Sequence, residues 1–306
     1  MSSTIVKAAE RLAQLRRAGV DIPLMDLGSE LMAGDDHAPA RPALGADAAE
    51  RARLGLPGGS TVEIDLARLA AAGILTPDNL RSQIALEFGI IKRPLLDNVR
   101  GKSAAPVGRA NLIMVTSALP GEGKTFAAVN LALSIAMELD HSVLLVEADV
   151  HRPAVLSTLG LPPSPGLMDV LTDPQVKLGG ALLRTNVPKL TLLPAGSQHS
   201  RTTEVLSSQS MANLVRELAT RYSDRVIIFD TPPLLQTPES RALAAHMGQV
   251  VVVVAADSTT HGTIHAALQT LENCPIVMTM LNKAARSKPE YSYGRYGAGS
   301  ATAARA

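Results

Sequence analysis

The stretch Leu112-Ile113-Met114-Val115-Thr116-Ser117-Ala118-Leu119-Pro120-Gly121-Glu122-Gly123-Lys124-Thr125 decides the fold. Five apolar or β-branched residues, 112–116, form a strand, a glycine-rich loop follows, and a helical pattern opens at Lys124 and runs to about Leu139. Strand, loop and helix in that order make a P-loop, with Ala118 where the strict pattern has glycine. Gly121 and Gly123 allow backbone N–H groups to turn inward onto phosphate oxygens. Lys124 is placed to reach β- and γ-phosphates, Thr125 offers a hydroxyl to Mg²⁺, and the helix N-terminus adds its dipole. The cradle is assigned to Ala118, Pro120, Gly121, Glu122, Gly123, Lys124, Thr125 and Phe126.

The texture on the carboxyl side supports this. Short apolar runs recur at 143–146, 190–193, 226–229, 250–254 and 276–281, separated by helical patterns at about 203–222, 238–247 and 262–272. Continuously apolar strands alternating with helices predict an α/β fold: a doubly wound, mainly parallel sheet covered on both faces, with ligands beyond the carboxyl ends of its strands. Two of those ends carry carboxylates. The run Val143 to Val146 ends in Glu147-Ala148-Asp149, two acids expected on the same side of the chain and facing the crevice. The run Val226 to Phe229 ends in Asp230-Thr231-Pro232-Pro233, the form of a Walker B element whose acid binds Mg²⁺.

On the amino side, residues 1–19 contain an amphipathic helix, with Ile5, Ala8, Ala9, Leu12 and Leu15 on one face. Residues 20–60 read as a flexible linker rich in Gly, Ala, Pro and Asp. Residues 61–110 form a helical segment ahead of the 111–284 domain, with a short helix at 66–72 and a longer one at 78–99 that Pro94 is expected to kink or end. Residues 285–306 form a flexible tail holding Tyr291, Tyr293 and Tyr296, three of only four tyrosines in 306 residues that include no tryptophan.

Composition removes several classes. A formal net charge of +1 argues against nucleic-acid binding through a broad basic face. The longest purely apolar run, Val250 to Ala256, is too short for a membrane span. The N-terminus has no apolar signal core, which predicts a cytoplasmic chain. A single cysteine, Cys274, excludes a disulfide framework and Cys-x-x-Cys metal or iron–sulfur sites. His261 and His265 have helical spacing but no acidic or cysteine partner, and read as a surface face.

Taken together, Thr116 to Thr125, Glu147-Ala148-Asp149 and Phe229-Asp230-Thr231-Pro232-Pro233 resemble the bacterial tyrosine kinases, the P-loop autokinases of exopolysaccharide and capsule assembly. The exosortase-associated type is the nearer likeness, on Arg11-Leu12, Leu15-Arg16-Arg17, Ile91 to Leu96, Leu192 to Gly196, Met247-Gly248-Gln249 and Leu281-Asn282-Lys283. The resemblance implies ATP and Mg²⁺ as cofactors, Lys124, Asp149 and Asp230 as catalytic residues, and Thr125, Asp149 and Asp230 as metal ligands. Asp149 would take the proton of an incoming tyrosine, Asn282 would contact adenine, and Tyr291, Tyr293 and Tyr296 would be acceptors phosphorylated by a neighbouring subunit of a homo-oligomeric ring. The implied partners are the cytoplasmic segment of a membrane polysaccharide co-polymerase, which would hold the kinase at the inner membrane, and a cognate tyrosine phosphatase.

The chain departs from the family at several points. Glu147 stands where relatives carry Asp, His151 where they carry a basic residue, and Leu86, Gly89 and Lys92 occupy the positions of the ring-forming Glu, Arg and Arg or Lys. Two other readings use the same fold: a cell-division or partition-type switch ATPase, and a nucleotide-binding adaptor without catalysis. Switch ATPases place a second lysine early in the P-loop, whereas no Lys lies between Gly108 and Lys124.

Overall fold

A computed structural model describes residues 60–103, 106–222 and 224–285. The chain divides into two units, Met1–Gly55 and Leu56–Ala306, and every described residue lies in the second. The amphipathic segment 1–19, the linker up to residue 59 and the tail tyrosines Tyr291, Tyr293 and Tyr296 fall outside the described residues.

The described chain begins with β1 (Thr61–Val62), α1 (Leu66–Ala71), a 3₁₀ turn at Pro77–Asn79 and α2 (Gln83–Val99). The motif-bearing core follows: β2 (Leu112–Ser117), α3 (Lys124–Ala136) and β3 (Ser142–Glu147). Three short helices come next, α4 (Val155–Leu159), α5 (Leu167–Thr172) and α6 (Leu178–Ala181), then β4 (Leu183–Thr185) and β5 (Leu190–Leu193). The chain continues through α7 (Thr202–Leu206), α8 (Gln209–Arg221), β6 (Arg225–Asp230), α9 (Pro238–Ala244), β7 (Gln249–Ala255), α10 (His261–Gln269) and β8 (Val277–Asn282).

The strands form one sheet in the order β1-β4-β5-β3-β6-β2-β7-β8, parallel throughout except for the β4–β5 pair. Its central strands are continuously apolar because both faces are covered, and successive side chains enter different cores. Leu112, Met114, Ile227 and Phe229 join one hydrophobic cluster, while Ile113, Val115, Val226 and Ile228 join the other. The first cluster is closed by Met211, Leu214, Val215 and Leu218 of α8 and by Leu243 of α9. The second is closed by α3, with Phe88, Leu95 and Leu96 of α2 and Leu69 of α1 behind it. Residues 61–99 thus pack onto the sheet, with β1 paired to β4 at its edge.

Two helices differ from expectation. The 78–99 pattern divides into the 3₁₀ turn and α2, because the Ser82 hydroxyl caps a fresh start by accepting from Ala85 N. Pro94 does not end α2, which continues to Val99. The carbonyl that loses its i+4 donor belongs to Ile90, which is 72% exposed and open to water, while Leu95 and Leu96 beyond the proline are anchored in the core. The 203–222 pattern divides at Ser207–Ser208, where Ser208 Oγ accepts from Met211 N and starts α8.

Candidate active site

The sheet order sets β3, β6 and β2 side by side, so the three motif-bearing strand ends are neighbours. Register fixes the alignment: Asp230 pairs with Val115 on one side and with Glu147 on the other. The Asp230 carbonyl accepts from Ala148 N at 2.8 Å and Asp149 N at 3.0 Å, and so holds the turn that carries Asp149. Thr231 donates to the Val115 carbonyl, and Thr116 Oγ1 donates to the Pro232 carbonyl at 2.8 Å, which pins the Asp-Thr-Pro-Pro loop beside β2.

The P-loop itself is shaped by two left-handed glycines, Gly121 at φ 82° and Gly123 at φ 97°. A Cβ on Gly123 would also come within 2.1 Å of Asn282 Nδ2. Gly123 is the N-cap of α3 and offers no side-chain cap, so the helix's first N–H groups are available to an anion.

Lys124 Nζ lies 2.6 Å from Asp149 Oδ2, and Thr125 Oγ1 donates to Asp230 Oδ2 at 2.7 Å. Lys124, Asp149, Thr125 and Asp230, taken from three different strand ends, are therefore brought together. Burial pushes the Asp230 carboxyl from its ordinary 3.8 up to about 7, against the pull of the Lys124 charge and the Thr125 hydroxyl. Its second oxygen, Oδ1, is buried without a hydrogen-bond partner. A buried carboxylate oxygen with no donor beside a hydroxyl suits a hard cation with oxygen ligands. Among the described residues no group of three or more His, Cys, Asp or Glu forms a complete protein cage. Mg²⁺ keeps waters and substrate phosphates in its shell, so the Thr125 hydroxyl and the Asp230 carboxyl would be enough protein ligands to hold it.

The remaining assigned residues differ in what they can offer. Ala118 is fully buried, and Pro120, Gly121 and Lys124 line a cavity of about 250 Å³ together with Asp149. The Glu122 carboxylate turns away to accept from Leu119 N at 2.6 Å and from the Thr259 hydroxyl beyond β7, so its backbone is what the loop presents. The Phe126 ring packs edge-on against Phe88 with centroids 6.4 Å apart, which leaves only its main chain facing the loop. Asn282, at the end of β8, reaches the P-loop and donates to the Glu122 carbonyl at 2.9 Å.

Three features escaped the sequence reading. Glu147 does not share a side with Asp149: its oxygens accept from Val155 N at 2.6 Å and Ala195 N at 3.3 Å, and burial raises its pKa against those bonds. Lys283 donates to the Gly121 carbonyl at 2.6 Å, beside Asn282. His151 Nε2 sits 3.0 Å from Oε1 of Glu239, a buried acid in the first turn of α9. Position beside Asp149 flags His151, but nothing local flags Glu239.

Residues 110–283 match the family described as AAA domain. Over 187 residues the chain is 32% identical to the tyrosine-protein kinase YwqD of Bacillus subtilis (strain 168), covering 60% of this chain and 77% of that protein. The chain belongs to the bacterial tyrosine-protein kinase family. This family member is also 30% identical over 190 residues to the putative tyrosine-protein kinase EpsB of Ralstonia nicotianae, of which it spans only 25%. Among solved structures it resembles the VpsO kinase domain, with a TM-score of 0.58, 31% identity, and coverage of 68% of this chain and 98% of that one. The kinase domain of Escherichia coli tyrosine kinase ETK follows the same fold at 27% identity and a TM-score of 0.52, over 60% of this chain and 71% of that one. In this tyrosine-kinase family member, no helix among the described residues is long and apolar enough to cross a membrane.

Proposed function

We propose that the chain is an ATP-dependent protein-tyrosine autokinase that regulates polysaccharide polymerisation and export by phosphorylating Tyr291, Tyr293 and Tyr296 of a neighbouring copy. The observation that carries this reading is the convergence of Lys124 with Asp149 and of Thr125 with Asp230. The P-loop amides and Lys124 would hold the β- and γ-phosphates of ATP. Mg²⁺, held by Thr125 and Asp230 with Asp149 nearby, would offset the phosphate charge. Asp149 would accept the phenol proton as the tyrosine oxygen bonds to the γ-phosphorus and the bond to the β-phosphate oxygen breaks, leaving ADP. Asn282 would stand at the base end of the nucleotide.

The tail supports this reading by composition: its tyrosines lie among Gly, Ser, Ala, Lys and Arg, without an apolar period that would fold them into a core. A homo-oligomer supplies the neighbour, and a membrane polysaccharide co-polymerase with its cytoplasmic segment is the proposed activator, which would place the kinase at the inner face of the membrane. A tyrosine phosphatase would complete the cycle.

Incubation of the full chain with labelled ATP and Mg²⁺ tests this. Phosphotyrosine should appear on wild type, vanish in Lys124→Met, and vanish in the Tyr291→Phe, Tyr293→Phe, Tyr296→Phe triple variant while nucleotide binding persists. Phosphate release without phosphotyrosine, even with the co-polymerase segment added, would move the assignment to a switch ATPase. Neither product would leave a nucleotide-binding adaptor.

A further inference from the structure

The cavity beside Lys124 and Asp149 has a second set of walls that phosphate binding does not require. Pro120, Pro232 and Pro233 contribute rigid apolar surface, and His151 lines the same space with its side chain 47% exposed. Behind His151 stands Glu239, only 2% exposed, with neither carboxylate oxygen in a hydrogen bond. The side chain that approaches it is His151, whose Nε2 lies 3.0 Å from Oε1. A buried acid left this way is costly, and a hydrogen bond from His151 Nε2 is the contact within reach that would offset the cost. Here it would fix the edge of an imidazole that lines a cavity with three prolines.

We propose that His151, held by Glu239, is the acceptor-specificity residue: its ring and the prolines 120, 232 and 233 form a slot that receives the aromatic ring of the acceptor tyrosine beside Asp149. The inference rests on the kinase reading and deepens it. A flat ring gains from apolar and aromatic surface on its faces, whereas a serine or threonine side chain has no face to offer and is too short to fill the slot. Each acceptor tyrosine has a small residue on its carboxyl side, Ser292, Gly294 or Gly297, which leaves that flank of the ring open, while Glu290 and Arg295 precede Tyr291 and Tyr296. Asp149 stays engaged by Lys124 Nζ on one oxygen and by Arg152 N on the other, and remains the group beside the phenol oxygen. His151 is given no part in proton transfer. Glu239 acts only through His151 and is a positioning residue.

The test uses the full chain carrying Tyr291→Phe, Tyr293→Phe and Tyr296→Phe, with a synthetic peptide of residues 288–298 as the sole acceptor. His151→Ala in that background should raise the KM for peptide about three- to tenfold, the worth of one aromatic contact, with kcat at saturating peptide falling less than twofold. His151→Phe, which keeps a flat ring, should recover most of the loss. Glu239→Ala should raise the same KM, and adding it to His151→Ala should raise it no further, since the two act as one unit. A peptide KM unchanged in His151→Ala, or a loss as large in His151→Phe, would overturn the slot while leaving the kinase reading intact. A kcat loss with KM unchanged would also overturn it, by making His151 part of the chemical step. Absence of peptide labelling by the otherwise wild-type background, together with absence of phosphotyrosine on unaltered wild type, would remove the kinase reading and the slot together.

Discussion

Asp230 is a carboxyl whose ionised form is useful to a cation and unfavourable to the fold. Burial raises its pKa from 3.8 to about 7, so the folded chain binds the proton more tightly than the unfolded chain does. Below pH about 4 both states are protonated and no cost arises; the cost grows as pH climbs and is complete above about 7. A displacement of roughly three units corresponds to up to about 4 kcal/mol. Asp230→Asn should therefore raise the Tm of the protein in EDTA by several degrees at pH 8 and hardly at all near pH 4. The same variant should lose the further stabilisation that Mg²⁺ and nucleotide give wild type. Thermal melts at the two pH values decide it: an equal gain at both would mean that ionisation of Asp230 is not the source. Asp230 was legible because it closes an apolar run, and a lone acid at a buried strand end needs a reason. Glu239 carries no such mark. It follows Pro238 in what reads as an ordinary helix start, and only the fold brings it to His151.

At the scale of elements, α2 and α4 show how local rules and tertiary contacts divide the work. Gly89 sits inside α2 with a negative φ and nothing within 4 Å of an added Cβ. Gly89→Ala should accordingly stabilise the protein by about 0.5–1 kcal/mol, seen as a higher urea midpoint at constant m-value. Lys92, three residues on, donates to the Ser134 carbonyl at 2.8 Å and pairs with Glu138 at 2.6 Å, which fastens α2 to α3 within one chain. Glu147 does the same for α4 by reaching past Asp149 to Val155 N and Ala195 N. Glu147→Asp keeps the charge, yet it should destabilise this chain by about 1–3 kcal/mol, because one methylene less leaves buried N–H donors unpaired. Hydrogen exchange at the Val155 and Ala195 amides should quicken in that variant; unchanged exchange would deny the clip. The central strands could be read from sequence because burial on both faces makes them continuously apolar. The strands β1 and β4, of two and three residues, have no period to read, and their pairing depends on where the rest of the sheet ends. The short helices between residues 155 and 181, none longer than six residues, are illegible for the same reason.

Across the whole molecule the aromatic residues are divided in a way that supplies its own assay. The chain has four tyrosines and no tryptophan, and three of the tyrosines lie at positions 291, 293 and 296. The fourth, Tyr222, is 4% exposed and is flanked by the guanidinium groups of Arg225, 4.9 Å from its ring centroid, and Arg221 at 5.8 Å. Parallel apolar strands and Ala- and Leu-rich helices fill both cores with little aromatic help, so three of the four residues that dominate ultraviolet emission lie in the tail. Phosphorylation replaces the phenol hydroxyl by a charged ester and suppresses tyrosine emission. Addition of ATP and Mg²⁺ to the full chain should therefore lower tyrosine emission by up to about three quarters, leaving the contribution of Tyr222. The fall should slow in proportion to dilution if one copy modifies another, and stay independent of concentration if each chain modifies itself. A phosphatase acting on phosphotyrosine should restore the signal. ATP consumption with emission unchanged would mean that water, not the tail, receives the phosphate, and the same cuvette would then argue for the switch ATPase.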